Sequence, residues 1–211
     1  MRIGVDMDGV LADFDRGWTE RYNADFGTNL KPKHNDHWDA LITLTGLTYD
    51  EWWEWAQSKH EDLFLSLPAL PGSIRGMWDL REDGHEICII TAKPRWAAGH
   101  PSSWLIKHNI PYDEIHVTSK KQYVVCDVYV DDALHNVVDL LENTDARVIQ
   151  YAAYPYVNGG ERVEGAIYAT SWDDVVREVR SWQRFMELVG SQGAAKTRRL
   201  KRSWRKEGLN V

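Results

Sequence analysis

Cysteine is nearly absent: Cys88 and Cys126 are the only two in 211 residues. Both sit in apolar runs, so the expectation is two buried free thiols in a reducing compartment rather than a disulfide framework. No Cys/His spacing suggests zinc. No run of 18 apolar residues occurs, which argues against a membrane-spanning helix. Met1-Arg2-Ile3 runs straight into an apolar segment, so the expectation is a cytoplasmic chain without a signal peptide. Basic charge is scarce over most of the length. Seven Lys/Arg against Glu207 give residues 191–211 a charge of +6, which leaves −13 on residues 1–190 within a net charge of −7. An acidic body argues against a general nucleic-acid-binding surface. The basic tail, 191–211, reads as a solvated extension that need not be ordered.

What is present is aromatic bulk and a repeating strand–helix pattern. The chain is long enough for one domain plus a smaller insert, and it carries eleven Trp. Arg2-Ile3-Gly4-Val5 reads as a short buried strand. Phe14, Trp18, Tyr22 and Phe26 recur at helical spacing up to Gly27. Residues 28–47 read as loop with short helical pieces. Thr48-Tyr49-Asp50-Glu51 has the form of a capping box and opens a Trp-rich helix to about His60. Leu67-Pro68-Ala69-Leu70-Pro71-Gly72 is a boundary. Beyond it Ser73 is placed as the cap of a helix closed by Gly84. Strands follow at 86–91, 114–117, 128–130, 147–151 and 167–169, with helices between them and a last amphipathic helix capped by Ser171. Apolar strands alternating with helices predict an α/β fold: a Rossmann-like parallel sheet with helices on both faces. The expected organisation is a core of residues 1–14 and 71–190, a helical insert at 15–70 after the first strand, and the tail.

The chemistry concentrates at strand ends. Asp6 and Asp8 leave the first strand two residues apart, so in extended chain their carboxylates share a face, and Gly9 permits a sharp turn after them. Close carboxylates repel, so such a pair calls for a cation, a metal or a shared proton. Oxygen-rich sites of this kind suit Mg²⁺. A carboxylate can also act as a nucleophile toward phosphorus, and a second group must then protonate the leaving oxygen. In an open parallel sheet ligands bind at the carboxyl ends of strands. Three such ends are polar here: Asp6/Asp8, Thr91 and Asp131/Asp132. Thr91 offers a hydroxyl, and the backbone N–H groups that follow it offer further donors, to phosphate oxygens. A lysine is wanted as a fixed positive charge, and Lys120 and Lys121 are both candidates. Asp131 and Asp132 would complete an Mg²⁺ shell with Asp6 and the backbone carbonyl of Asp8.

The string Asp6-Met7-Asp8-Gly9-Val10-Leu11-Ala12-Asp13-Phe14 resembles the first motif of the haloacid dehalogenase-like phosphohydrolases, and within them the 5′(3′)-deoxyribonucleotidase family. Ile89-Ile90-Thr91 resembles the second motif. Lys121, ten residues before Asp131, matches the family's lysine spacing, with Lys120 as the alternative. Val128-Tyr129-Val130-Asp131-Asp132 resembles the acidic fourth motif. The likeness covers roughly residues 2–150 and departs at Ala92-Lys93, where Ser-Pro is commoner; there Ala92 and Lys93 are taken as phosphate contacts, Lys93 adding a second positive charge. The resemblance implies an Mg²⁺-dependent phosphomonoesterase with Asp6 as nucleophile and Asp8 as acid and base. It makes Asp132 the direct metal ligand and Asp131 its support. The implied substrate is a nucleoside monophosphate, deoxy and pyrimidine. Residues 15–70 take the place of the family's helical cap, with Phe14, Trp18 and Trp38 as stacking candidates for a base. Two rivals share the fold: a 3′-phosphatase on nucleic-acid ends, supported by the basic tail alone, and a non-catalytic binding protein. A homodimer is compatible with all three.

Overall fold

The computed structural model describes residues 1–34, 37 and 40–190; the basic tail therefore lies outside the described residues. Six strands, β1 (Arg2–Val5), β2 (Glu86–Thr91), β3 (Glu114–Val117), β4 (Val128–Asp131), β5 (Arg147–Tyr151) and β6 (Ile167–Ala169), form one parallel sheet in the order β3-β2-β1-β4-β5-β6. The inner strands are buried almost throughout because helices cover both faces, which is why they read as continuous apolar runs. From β1 the chain builds outward through β2 and β3 on one side, then through β4, β5 and β6 on the other. The order reverses beside β1, and that point opens a crevice at the carboxyl ends of β1 and β4.

Between β1 and β2 the chain makes α1 (Phe14–Phe26), α2 (Ala40–Thr45), α3 (Tyr49–Lys59), α4 (Leu63–Ser66) and α5 (Ser73–Glu82). Asp13 caps α1, and Gly27 ends it in the left-handed region. Thr48 and Glu51 cap α3 reciprocally. Trp18, Trp52, Trp55 and Phe64 are buried, so most of the aromatic bulk of this segment packs on itself. Its two ends are stitched together: Asp13 N donates to the Pro68 carbonyl and Leu70 N to the Leu11 carbonyl, each at 2.8 Å. The later helices are α6 (His100–Lys107), α7 (Leu134–Asn143) and α8 (Trp172–Gly190). Among the described residues no helix is long and apolar enough to cross a membrane. Cys88 and Cys126 are buried and free.

One cap reading is corrected. Gly72, at φ +80°, precedes α5, and Ser73 is its first residue. The Ser73 hydroxyl donates instead to the Leu70 carbonyl at 2.9 Å and the Leu11 carbonyl at 3.2 Å, anchoring the loop after β1. The four-residue α4 is too short to leave a periodic signal.

α5 and α8 approach closely because α5 has glycine at the crossing. A Cβ on Gly76 would lie 2.4 Å from Trp172 Cε3. Trp172 in turn donates its indole N–H to the Val10 carbonyl at 3.0 Å, so this helix pair also holds the loop after β1. Gly76→Ala overpacks the crossing and is expected to cost about 1–3 kcal/mol, read as a lower urea midpoint with unchanged slope. A wild-type midpoint would contradict the packing.

Candidate active site

The first motif is a tight loop on the end of β1. Asp6 N donates to the Val130 carbonyl at 2.9 Å, which sets Asp6 beside the end of β4. Leu11 N and Ala12 N both reach back to the Met7 carbonyl at 2.8 Å. Gly9 has φ +72°, and a Cβ there would lie 2.1 Å from Asp132 Oδ2. Glycine is therefore needed twice, for the turn and for the carboxylate packed against it. Asp13 Oδ1 accepts from Arg16 N at 3.1 Å, and Asp13 Oδ2 accepts from the Tyr154 hydroxyl at 2.9 Å.

Lys121 and three aspartates make the buried centre. Lys121 enters from the single turn 121–123 and is 4 % exposed. Its ammonium lies 2.7 Å from Asp6 Oδ2 and 2.6 Å from Asp131 Oδ2. Burial alone would lower the lysine pKa, but Asp131 and Asp6 outweigh it and hold the group charged. Asp131 Oδ1 accepts from Ala133 N and Asn136 Nδ2, each at 3.1 Å, so both of its oxygens are committed. The Asp132 carboxylate accepts no hydrogen bond from the described residues, while the Asp132 carbonyl takes Asn158 Nδ2 at 2.6 Å. Carboxylate oxygens of Asp6, Asp131 and Asp132 lie within 4.8 Å of one another. Burial, then Asp6 and Asp131, push the Asp132 carboxyl well above its usual range. Asp132 is the carboxylate of the three that accepts no hydrogen bond from the described residues, and with its neighbours Asp6 and Asp131 it offers hard oxygen donors to a small divalent cation.

At the end of β2, Lys93 closes the other side. Its ammonium meets Asp8 Oδ2 at 2.5 Å and Thr91 Oγ1 at 2.9 Å, and sits 4.8 Å above the Phe64 ring. Burial raises the Asp8 pKa, with Lys93 pulling it back. Ala92, the residue between, is exposed. Asp6, Asp8, Thr91, Lys93, Lys121, Asp131 and Asp132 are thus linked through two lysine-centred clusters. Lys120 is exposed, so of the two adjacent lysines it is Lys121 that turns inward.

The aromatic candidates separate. Phe14 is half-buried and lies nearly parallel to Phe64, with centroids 5.9 Å apart. Trp18 is corrected: it is 0 % exposed, packed edge-on against Trp52 and Tyr22, and has no free face for a ligand. Trp38 lies outside the described residues. Asn136, Tyr154 and Asn158 had not been singled out. The last two come from the loop after β5, a carboxyl strand end where the same rule, applied there too, would have found them. A second group, Cys88, Glu114 and His116, also brings potential ligands together. There Arg2 Nη2 already sits 2.6 Å from Glu114 Oε2, so its charge is met by a guanidinium.

Asp132 makes the charge balance testable. Its folded pKa lies above the unfolded value of about 4, so its ionisation opposes folding. That cost is absent below the unfolded pKa, grows as pH rises through the folded one, and is full above it. In chelator at pH 7, Asp132→Asn is expected to raise Tm by about 2 °C or more, with the gain vanishing near pH 4. A lower Tm at pH 7 would contradict this.

Comparison with known proteins gives the family and the fold. Residues 1–184 match the family model described as 5′ nucleotidase, deoxy (pyrimidine), cytosolic type C protein. The chain is 26 % identical over 185 residues to the 5′(3′)-deoxyribonucleotidase of Bacillus subtilis, covering 84 % of this chain and 97 % of that one. The fold is shared with a HAD family hydrolase from Deinococcus radiodurans solved with bound phosphate and sodium, at TM-score 0.54 and 16 % identity over 82 % of this chain and 92 % of that one. It is also shared with the L-2-haloacid dehalogenase of Xanthobacter autotrophicus, at TM-score 0.54 and 14 % identity over 85 % of this chain and 98 % of that one. The parallel sheet with its helices is therefore haloacid dehalogenase-like, and the chain belongs to the cytosolic type C 5′-nucleotidase family, a family of phosphoric monoester hydrolases.

Proposed function

We propose that this protein is an Mg²⁺-dependent phosphomonoesterase acting on nucleoside monophosphates, 5′(3′)-deoxyribonucleotides in particular. One observation carries the reading: Lys121 bridges Asp6 and Asp131 while the adjacent Asp132 carboxylate accepts no hydrogen bond from the described residues. Asp6 and Asp132, with the Asp8 carbonyl, would hold Mg²⁺. When bound, the ion would neutralise charge on the phosphoryl oxygens.

Asp6 is the nucleophile. Asp6 Oδ1 is tied to Met7 N at 2.7 Å and Oδ2 to Lys121, which fixes the carboxylate in one orientation. Its attack on phosphorus forms an aspartyl-phosphate as the ester P–O bond breaks. Asp8 gives its proton to the departing oxygen; burial, which raises the Asp8 pKa, suits that duty. Asp8 then takes a proton from the water that attacks phosphorus, releasing inorganic phosphate and the free Asp6 carboxylate. Thr91, the Ala92 N–H and Lys121 bind the phosphoryl oxygens. Residues 15–70 act as a cap over the crevice, which excludes water during the reaction, and the Phe14 ring is the surface for the base.

Phosphate release from a panel of deoxy- and ribonucleoside monophosphates tests this. Asp6→Asn is expected to lose at least about 10⁴-fold in kcat, and excess EDTA to silence the wild type. Equal release by wild type and Asp6→Asn would refute the enzymatic reading. Phe14→Ala is expected to raise KM for the best nucleotide about tenfold, the scale of one lost stacking contact, and an unchanged KM would remove Phe14 from the substrate site.

A further inference from the structure

Lys93 departs from the family's commoner residue at its position and has been counted above as an extra positive charge for phosphate. Its surroundings indicate otherwise. An ammonium has three N–H donors. One meets Asp8 Oδ2 at 2.5 Å, one meets Thr91 Oγ1 at 2.9 Å, and the group lies over the face of Phe64 at 4.8 Å. The side chain is 0 % exposed, so no donor is left turned to solvent or to a phosphoryl group. The other Asp8 oxygen, Oδ1, is buried and has no hydrogen-bond partner among the described residues.

The geometry points to Lys93 as a positioning residue for the leaving-group side of the reaction. By holding Asp8 Oδ2, it fixes the orientation in which the carboxylate, whose side chain is 27 % exposed, meets the ester oxygen. By donating to Thr91 Oγ1, it occupies a lone pair of that hydroxyl and turns the Thr91 proton away, toward the phosphoryl group. One ammonium thereby sets both the acid and a phosphate donor. Phe64 belongs to α4 and stacks on Phe14, so the same group ties the acid to the helical segment between β1 and β2. Lys93 does not touch substrate. The role rests on the phosphatase reading given above.

Lys93→Met keeps the length of the side chain and removes its charge and donors. On a nucleoside monophosphate its kcat is expected to fall about 10²-fold, within the range of a misplaced general acid, while KM and the inhibition constant of inorganic phosphate rise only about threefold as Thr91 loses its set orientation. On p-nitrophenyl phosphate, whose leaving group departs without a proton, the loss is expected to be at least about tenfold smaller. Equal losses on both esters would overturn the proposal. So would an inhibition constant for phosphate that rises as far as kcat falls, which would make Lys93 a phosphate ligand. A crystal structure of Lys93→Met separates the two readings. A turned Asp8 carboxylate supports the positioning role, and an Asp8 that keeps its wild-type rotamer contradicts it, even if the wild type released no phosphate from any ester. That last result would count against the phosphatase reading alone.

Discussion

A single buried ammonium, Lys121, holds the ends of two adjacent strands together. Asp6 and Asp131 lie side by side because β1 and β4 pair in parallel, and unshielded they would repel. Lys121 lies within 2.7 Å of both. Removing one partner of such a buried pair leaves an uncompensated charge, which typically costs about 3–5 kcal/mol. Lys93 does for Asp8 what Lys121 does for Asp6. With all four ionised, the carboxylates Asp6, Asp8, Asp131 and Asp132 outnumber the two ammonium groups by two negative charges. That excess equals the charge of one divalent cation. Asp132, whose carboxylate accepts no hydrogen bond from the described residues, is where it concentrates.

The rest of the fold keeps this arrangement rigid. The loop after β1 is pinned on its carbonyl side by three hydrogen bonds. Trp172 of α8 takes Val10, Ser73 of α5 takes Leu11, and Leu70 N also takes Leu11. Gly9 lets Asp132 pack on the loop, and Tyr154 braces Asp13 from the loop after β5. Asn158 from that same loop holds the Asp132 carbonyl. A carboxylate cluster with so much charge needs such support, because every contact that positions one member must resist repulsion from the others.

The strand–helix alternation was legible because inner parallel strands must be apolar on both faces and helices must not. The polar residues at the ends of β1, β2 and β4 were legible for a related reason: a strand that stops in Asp or Thr at the carboxyl edge faces the crevice. Motif spacing favoured Lys121 over Lys120, but burial separates the two, and the turn at 121–123 decides it. Helical spacing put Phe14 and Trp18 on one face of α1, yet only the structure shows Trp18 sealed beneath Trp52 and Tyr22. Residues from different elements were the least legible. The Lys93–Asp8 contact joins β2 to β1 across 85 positions, and Tyr154–Asp13 spans 141. No local pattern records contacts of that range.

The most direct measurement is anomalous diffraction from crystals soaked in Mn²⁺, which takes oxygen ligands as Mg²⁺ does. A single strong peak is expected between the Asp6 and Asp132 carboxylates, with Lys121 still paired to Asp131. A peak at Cys88, Glu114 and His116 instead, or none near Asp132, would show that the excess charge at the crevice is not there to hold a metal.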